Sequence, residues 1–381
     1  MKKIIALLLS FAMVFCLAAC GSKENAPASE STQPTTATTT TEAPAAPAEA
    51  PVASTEEPAA PAEEPQAPEL SGTMKIVATS ESYQPLFEKF GQETGVSVEL
   101  LSMSSGEVLS KLRSEGGTSS ADLWFGGGID AFMAAKEDGL LEQVNFAASE
   151  DLAPEFKDAD NYYFSKGITI VGFLLNNKLM QELGLEAPES WDDLLDPQYE
   201  NEIIMSNPAV SGTNYAVVNC LLQNKEDGWA YFDEFNKNVA SYAKRGSDPK
   251  NKLIADEYAI AVTYIDGTIE SLLNDYDVTI VYPTDGMPWV PEGVAAFANG
   301  ENTEAAKYFI EWLFSSDENL KMLAEIDQKS AVKTVKPSME GIELSYDPSL
   351  LMDIDLSLFG TQRDEILAQF ETLMGDKVAE E

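Results

Sequence analysis

The stretch Ala121-Asp122-Leu123-Trp124-Phe125-Gly126-Gly127-Gly128 runs directly into an apolar-rich segment from Ile129 to Asp138. The first five residues predict a buried strand, the glycines predict a tight break, and the following segment predicts a helix. A strand followed at once by a helix is the repeating unit of an α/β sheet. This stretch therefore predicts an α/β fold.

The segments before this stretch show the same alternation. Strands are predicted at Met74–Thr79 and Gly95–Leu101, and amphipathic helices are predicted at Tyr83–Thr94 and Glu107–Ser114. Strands that alternate with helices are typical of parallel βαβ units and predict a doubly wound, mostly parallel sheet.

The alternation returns in the middle of the chain. The predicted strands are residues 167–175, 203–205, 259–264 and 278–282, and the predicted helices are residues 214–222, 267–274 and 305–314. The region from Gly72 to about Lys377 has about twice the length of a common domain. We therefore predict two α/β lobes with a cleft between them. Residues 72–166 form lobe 1, residues 167–282 form lobe 2, and residues 283–381 return to lobe 1 and add C-terminal helices.

The N-terminus carries a targeting pattern. Lys2 and Lys3 precede an apolar run that is too short for a membrane span, which predicts a secretory signal peptide over residues 1–19. The run ends in Leu17-Ala18-Ala19-Cys20-Gly21, which resembles the lipobox of bacterial lipoproteins. The resemblance implies that Cys20 carries lipid, including palmitate, and tethers the mature chain to the outer face of the cell membrane. The alternative is an ordinary signal peptide that ends before a cysteine.

Composition narrows the classes of function. Residues 20–71 consist mainly of Ala, Pro, Thr, Ser and Glu, which predicts a disordered linker. The chain has 64 acidic and 24 basic residues and a net charge of −40, which argues against a nucleic-acid partner bound through a basic face. With Cys20 acylated and Cys16 removed with the signal, Cys220 stands alone among apolar residues and is predicted to be buried.

Five segments occur in a recognisable order. They are Thr79-Ser80, residues 121–128, Asn207-Pro208-Ala209-Val210-Ser211-Gly212-Thr213, Lys244-Arg245-Gly246-Ser247 and Val281-Tyr282-Pro283. In this order, after a lipobox, the chain resembles the extracellular solute-binding proteins of the iron(III)-type branch of ABC importers. That branch also includes receptors for sugar phosphates, aminoalkyl phosphonates and polyamines. The resemblance covers residues 72–340.

The resemblance implies a type II periplasmic-binding fold that holds a small solute between its lobes. It also implies that an ABC permease and its ATPase are the protein partners. We expect the lobes to close by a hinge, through crossover segments near residues 167–175 and 278–282.

Ser211-Gly212-Thr213 is the clearest candidate for a ligand contact. A serine or threonine at a helix start can cap the helix, and glycine allows a ligand to approach the backbone. The free N–H groups and the helix dipole then favour an anion. The alternative is that Ser211 or Thr213 only caps the helix.

Other candidates follow the predicted strands of lobe 1. They are Thr79, Ser80, Ser104, Ser105 and Gly127. Ligands of open α/β sheets lie beyond the carboxyl ends of the strands, so these positions are expected to face the ligand. Turn formation is the alternative for each of them.

Tyr264 and Asp266 end a predicted strand of lobe 2. The resemblance places two adjacent tyrosines here in iron-binding relatives, assisted by His and Glu, whereas this chain has Tyr264 alone and no His. Fe(III) prefers several anionic oxygens, so free iron is disfavoured and no metal site is predicted. Sugar-phosphate relatives carry an acid here, and Asp266 fits that pattern. Its alternative role is a helix N-cap.

Two further candidate contacts, Ser247 and Tyr282, each have two alternative roles. Ser247 belongs to a compact basic turn with Lys244 and Arg245, which suits a phosphate or phosphonate or is a solvated surface turn. Tyr282 follows a predicted crossover strand, where its ring either stacks on ligand or packs in the core.

These observations predict a monomeric, non-enzymatic receptor without a cofactor. It binds a small phosphorylated or phosphonate organic solute and delivers it to an ABC permease. Ferric iron or a ferric chelate is the alternative ligand, and a sensory receptor is an alternative role. A secreted carboxylate-dependent hydrolase is the alternative of another class, since a chain without His has no Ser-His-Asp set but many acids.

Overall fold

The computed structural model describes residues 69–327, 332–344 and 346–379. The predicted signal peptide, Cys20 and the predicted linker up to residue 68 lie outside the described residues. The described strands are β1 (Thr73–Ala78), β2 (Ser97–Ser102), β3 (Leu123–Gly128), β4 (Phe164–Asn176), β5 (Ile203–Ser206), β6 (Val239–Ala243), β7 (Ile260–Ile265), β8 (Val278–Val281) and β9 (Trp289–Ala296).

The described helices alternate with these strands over the first part of the chain and dominate its end. They are α1 (Gln84–Thr94), α2 (Ser105–Ser114), α3 (Ile129–Glu137), α4 (Asn177–Leu183), α5 (Gly212–Asn224), α6 (Gly228–Asn238), α7 (Asp248–Ile254), α8 (Gly267–Leu272), α9 (Thr303–Phe314), α10 (Asp317–Ile326), α11 (Val332–Val335), α12 (Ser357–Thr361) and α13 (Arg363–Met374). In the part of the chain that the structure describes, no helix combines the length and apolar character that a bilayer crossing requires.

The strands form one mixed sheet in the order β2-β1-β3-β9-β4-β7-β5-β6, and β8 is added beside β4. At one end, β1 pairs in parallel with β2 and β3. At the other end, β5 pairs in parallel with β6 and β7. We call these the first and second parallel blocks. The α/β class is confirmed, but the expected mostly parallel sheets are joined by antiparallel strands.

Strands β4 and β9 connect the two blocks. Strand β4 pairs with β9 from Phe164 to Ile170 and with β7 from Ile170 to Leu175, so Ile170 contacts both partners. The predicted crossover at 167–175 is therefore confirmed. The predicted crossover at 278–282 is wrong, because β8 pairs with the Phe173–Asn176 end of β4 and β9 makes the return.

Apolar side chains cover the sheet on both faces. The ring of Phe87 in α1 lies 5.2 Å from that of Phe125 in β3, and Phe90 lies 5.2 Å from Phe309 in α9. Cys220 in α5 is fully buried, as predicted, and burial raises the pKa of its thiol to about 12. Packing on both faces holds the strand ends, and the loops that follow them, in place.

Helices α12 and α13 end the described chain. Helix α12 contacts α3 and α5, and α13 contacts α6. The ring of Phe370 lies 5.2 Å from that of Phe232, and Val378 forms an isolated bridge with Tyr242 of β6. The C-terminal residues thus contact elements attached to both parallel blocks. The lobe boundaries stay a prediction.

Candidate functional site

A cavity of about 460 Å³ lies where the carboxyl ends of the parallel strands of both blocks meet. Loops that follow β1, β2, β5, β6 and β7, together with the end of β3, line it. The predicted ligand contacts that line it are Thr79, Ser80, Ser104, Ser105, Gly127, Ser211, Gly212, Thr213, Ser247, Tyr264 and Asp266. The topology brings these residues together from distant positions, as the strand-end rule predicts.

The start of α5 offers free backbone donors to this cavity. Ser211 is the N-cap, and its hydroxyl accepts from the Asn214 amide at 3.3 Å and from Asn214 Nδ2 at 3.1 Å. No described residue accepts a hydrogen bond from the amide of Gly212 or of Thr213. The capping role of Ser211 is confirmed, and the next two amides are available to an anion.

Glycines let the two blocks approach each other at this point. A Cβ on Gly212 would lie 2.7 Å from Ser105 Oγ and 2.8 Å from the Gly128 amide nitrogen. A Cβ on Gly127, whose φ is +92°, would lie 2.6 Å from Ser105 Cβ. Ser105 is buried at the start of α2, between these glycines. We call Ser105, Ser211, Gly212, Thr213 and Arg245 the amide wall.

Arg245 adds a positive charge to the amide wall. It lines the cavity, and its guanidinium has no ion-pair partner within the described ranges. Its own carbonyl accepts from Ser206 Oγ at 2.6 Å, which ties the turn to the end of β5. Ser247 lines the cavity from the same turn. The turn borders the cavity and the Arg245 side chain is exposed, so the contact of this basic turn with a phosphate or phosphonate stays a prediction.

Ser104 and Ser80 form turns as well as lining the cavity. The amide and hydroxyl of Ser104 donate to Glu107 Oε2 at 3.0 and 2.6 Å. The hydroxyl of Ser80 accepts from the Ser82 amide at 3.1 Å. The two roles that the sequence left open for these residues are therefore compatible.

Asp266 has its predicted capping role, and its contact with ligand stays a prediction. It is the N-cap of α8, where it accepts from the amides of Thr268 and Ile269 at 2.9 and 3.0 Å, and it lines the cavity. Burial raises the pKa of this carboxyl, and its hydrogen bonds with Thr268 and Ile269 oppose the shift. Tyr264 lies beside it, with Lys250 Nζ 5.8 Å from the ring centroid.

Glu292 and Asp327 also line the cavity, although neither is among the residues predicted from the sequence. Both lie against the ammonium of Lys166, which is fully buried and also donates to Tyr83 Oη at 2.9 Å. The register between β4 and β9 shifts at Lys166, a bulge that can redirect a side chain. A single charge inside the apolar run of β4 was the signal available in the sequence. We call Asp266, Glu292 and Asp327 the acidic wall.

At the acidic wall, burial and neighbouring charges shift the pKa values of Asp327 and Lys166 in opposite directions. Burial raises the pKa of Asp327, and the positive charge of Lys166 opposes the shift. Burial lowers the pKa of Lys166, but the charges of Asp327 and Glu292 outweigh it, so the net shift is upward. The lysine is therefore held as an ammonium beneath the carboxylates.

Tyr282 does not line the cavity. It follows β8, which pairs with the far end of β4, whereas the cavity is lined by Ile168, Thr169 and Ile170 of that strand. Burial and the neighbouring Glu270 raise the pKa of its hydroxyl. The expected aromatic contact at Tyr282 is therefore wrong. Tyr83 and Tyr346 line the cavity as well as Tyr264.

Within residues 69–327, 332–344 and 346–379, no group of three or more His, Cys, Asp or Glu is placed to hold a metal ion. Tyr163, one of two adjacent tyrosines, is buried near Asp158 rather than lining the cavity. Tyr264 is the tyrosine that the sequence placed at the iron position of the relatives.

Comparison with known proteins identifies the family to which this chain belongs. The model of the bacterial extracellular solute-binding protein family matches residues 85–342. A probable ABC transporter periplasmic-binding protein of Sinorhizobium fredii is 27% identical over 239 residues, which cover 58% of this chain and 64% of that protein. The phosphoglycerate transport regulatory protein of Salmonella typhimurium is 29% identical over 172 residues, 44% of this chain and 42% of that protein.

A solved structure shows the same fold. The periplasmic binding protein AfuA from Actinobacillus pleuropneumoniae, with fructose-6-phosphate bound, superposes with a TM-score of 0.71 at 23% identity. The match covers 80% of this chain and 98% of that one, and it confirms the predicted periplasmic-binding fold. The fold and the family exclude the hydrolase alternative. This chain belongs to the bacterial extracellular solute-binding proteins, the non-enzymatic receptor components of ABC importers.

Proposed function

We propose that this receptor binds a small organic solute that carries a phosphate or phosphonate group, and delivers it to the permease and ATPase of its importer. The phosphorus group lies at the amide wall, and the rest of the solute faces the acidic wall. In this proposal Cys20 carries the lipid that tethers the monomeric receptor to the outer face of the cell membrane.

The observation that carries this proposal is that the amides of Gly212 and Thr213 donate to no acceptor in the part of the chain that the structure describes. They point from the first turn of a 13-residue helix, where the partial positive charge of the helix dipole is concentrated. The hydroxyl of Ser105 and the guanidinium of Arg245 line the same cavity. Amide, hydroxyl and guanidinium groups are donors, which suits a group with several anionic oxygens.

The acidic wall suits the part of the solute that lies away from the phosphorus group. Asp266, Glu292 and Asp327 offer carboxylate oxygens, which accept hydrogen bonds and repel a second anion. A solute with hydroxyl or amino groups away from its phosphorus group satisfies both walls. The names of the phosphoglycerate relative and of the fructose-6-phosphate-bound structure support this class of solute.

Delivery requires the solute to stabilise one arrangement of the two blocks over another. The solute of this proposal touches residues from both blocks, namely Ser105 after β2 and Gly212 after β5. Such a solute favours the arrangement in which the blocks meet, and the permease then recognises that arrangement.

A thermal-shift screen followed by titration calorimetry on the full chain tests the ligand class. The panel is inorganic phosphate, fructose 6-phosphate, 2-aminoethylphosphonate, spermidine and ferric citrate. A ligand at a hundredfold excess over its Kd stabilises the folded state by about 2.7 kcal/mol. We expect stabilisation by the phosphorus compounds. Stabilisation by ferric citrate alone would instead establish the ferric alternative.

The anchor is tested separately in cells. We expect a palmitate analogue to label the wild-type chain in the membrane fraction, and Cys20→Ala to abolish both labelling and membrane association. Equal labelling of the two chains would contradict the proposed anchor. The substitution lies far along the sequence from the cavity residues, so ligand binding serves as the control for folding.

A further inference from the structure

The C-terminal segment of residues 346–379 follows a path that touches the cavity and both parallel blocks. Tyr346 at its start lines the cavity, and its hydroxyl lies 2.9 Å from Thr334 Oγ1. Helix α12 then contacts α3 and α5, and α13 contacts α6. We call residues 346–379 the strap. A segment with this path can transmit a change at the cavity to the helices behind it.

Arg363 is the charged centre of the strap. Its Nε donates to Asp130 Oδ2 of α3 at 2.7 Å, and the two side chains are 6% and 1% exposed. Its guanidinium carbon also lies 5.6 Å from the ring centroid of Tyr215 in α5. Tyr215 Oη in turn donates to the carbonyl of Phe359 in the strap, at 2.9 Å. Arg363 therefore contacts a helix from each parallel block.

The two helices begin at the cavity. Helix α3 starts after Gly128 and α5 starts at Gly212, and both glycines line the cavity. A Cβ on Gly128 would lie 2.5 Å from Asp130 Oδ1 and 2.9 Å from Gly212 Cα. The ion pair is thus close behind the point at which the two blocks touch. A movement that separates α3 from α5 has to break the contacts of Arg363 with one of them.

We propose that Arg363 is a positioning residue for solute binding. By joining Asp130 and Tyr215, it holds α3 and α5 in the arrangement in which the amides of α5 and the residues of the first block face one solute. It does not touch the solute. The inference rests on the proposed function only in needing a solute that contacts both blocks, and it adds a determinant of affinity outside the cavity.

Loss of the Arg363 contacts is expected to lower the affinity for solute. A protein whose binding-competent arrangement is partly populated shows an apparent Kd raised by the inverse of that fraction. Loss of the Arg363 contacts lowers the fraction without removing a donor from the cavity. Replacing both members of a buried ion pair by apolar residues is often tolerated by the fold, whereas removing one member leaves a buried charge. The double replacement is therefore the cleaner test.

The test compares three variants with the wild type. The first combines Arg363→Met with Asp130→Leu, and the second is the conservative Arg363→Lys. The control is Lys178→Met, which breaks an exposed ion pair with Asp256. Binding of fructose 6-phosphate to the full chain is measured by calorimetry. Amide hydrogen exchange is followed over α3 and α5. We expect affinity to fall at least tenfold in the double variant, partial recovery in Arg363→Lys, and no change in the control.

Exchange separates positioning from a purely structural role. In the double variant we expect faster exchange at the starts of both α3 and α5 without solute, and wild-type exchange at saturating solute. A folded double variant with wild-type affinity would overturn the proposal. If the double variant does not fold, Arg363→Lys carries the test: a partial loss of affinity with faster exchange at the starts of α3 and α5 would support the proposal, and wild-type affinity and exchange, as in the control, would overturn it.

Failure of the proposed function has a different signature. If the wild-type chain binds none of the phosphorus compounds, the solute class is wrong, and exchange alone then tests Arg363. Joint acceleration of α3 and α5 in the double variant would still support the positioning role. Acceleration confined to the strap would contradict it.

Discussion

The amide wall and the acidic wall face the same cavity but are built in different ways. The amide wall depends on backbone donors at the start of α5, which carry no formal charge and need no counter-ion. The acidic wall depends on carboxylates that are partly withdrawn from water, two of which, Glu292 and Asp327, rely on the buried ammonium of Lys166. Removing a charged side chain from the acidic wall should therefore lower the stability of the protein. A substitution in the amide wall should instead lower the affinity for solute.

In the proposed complex, this contrast also orients the solute. Backbone amides and Arg245 donate hydrogen bonds, whereas Asp266, Glu292 and Asp327 accept them. A solute with an anionic end and a donor-rich end fits in one direction only, because the reverse orientation places its anion against carboxylates. The cavity can thus select by the arrangement of charge as well as by size.

The largest effect is expected for Lys166→Met, which leaves Glu292 and Asp327 without their cation. Removing one partner of a buried ion pair costs about 3–5 kcal/mol. We expect a loss of that size in the free energy of unfolding, measured by urea titration. Lys237→Met, in an exposed pair with Glu234, is the control and should change stability very little. Equal losses in the two variants would remove the special role of the acidic wall.

The next effect is expected for Gly212→Ala at the amide wall. The new Cβ would meet Ser105 Oγ and the Gly128 backbone at 2.7 and 2.8 Å, so the amides at the start of α5 must shift. We expect solute affinity to fall by roughly a hundredfold, because each hydrogen bond to a charged group contributes about 1.5–3 kcal/mol. The control is Gly139→Ala, where an added Cβ meets no atom within 4 Å although φ is +71°. Calorimetric affinity equal to that of the wild type would show that the solute binds elsewhere.

Ser211→Ala combined with Thr213→Ala should have a smaller effect on the same wall. The change removes the Ser211 cap, whose hydroxyl accepts from Asn214, and the Thr213 hydroxyl, but keeps both free amides. We expect about a tenfold loss of solute affinity, on the scale of one charge-assisted hydrogen bond. Ser271→Ala, on an exposed part of α8, serves as the matched control. Unchanged affinity would assign the whole of anion binding to the backbone and Arg245.

The smallest effect is expected for Asp266→Asn, which keeps a capping side chain and removes a charge. Burial raises the pKa of this carboxyl above its ordinary value of 3.8 in the folded state. The unfolded chain therefore ionises first, and the contribution of Asp266 to stability declines as the pH rises above that value. We expect the unfolding free energy of the variant, relative to that of the wild type, to increase as the pH rises above 3.8. A relative decrease would mean that the folded state favours the carboxylate.

The two walls also differ in how far the sequence predicted them. The amide wall arises from local patterns, since Ser211-Gly212-Thr213 precedes a helix and follows a strand. The acidic wall arises from contacts that span 126 residues from Lys166 to Glu292 and 161 residues from Lys166 to Asp327. Periodicity and turn chemistry carry no information about such pairs, so only Asp266 was predicted.

The same limit explains why strand β9 was not predicted from the sequence. Strands β1, β5 and β7 are apolar runs that alternate with helices, and they were predicted within one or two residues. Strand β9 contains Pro291 and Gly293, residues that argue against a strand in any local reading. Its pairing with β3 and β4 overrides that preference. Misplacing the return strand at β8 then misplaced Tyr282.

Lys166 and Glu292 lie on β4 and β9, the strands that pass between the two blocks. A rotation of one block against the other bends these strands, and atoms near a rotation axis travel least. In such a rotation the carboxylate of Glu292 would stay nearly stationary while the loops of either block move away. A departing solute would then lose its contacts with the moving loops first and with Glu292 last, and the connectivity of the chain would set the order of release.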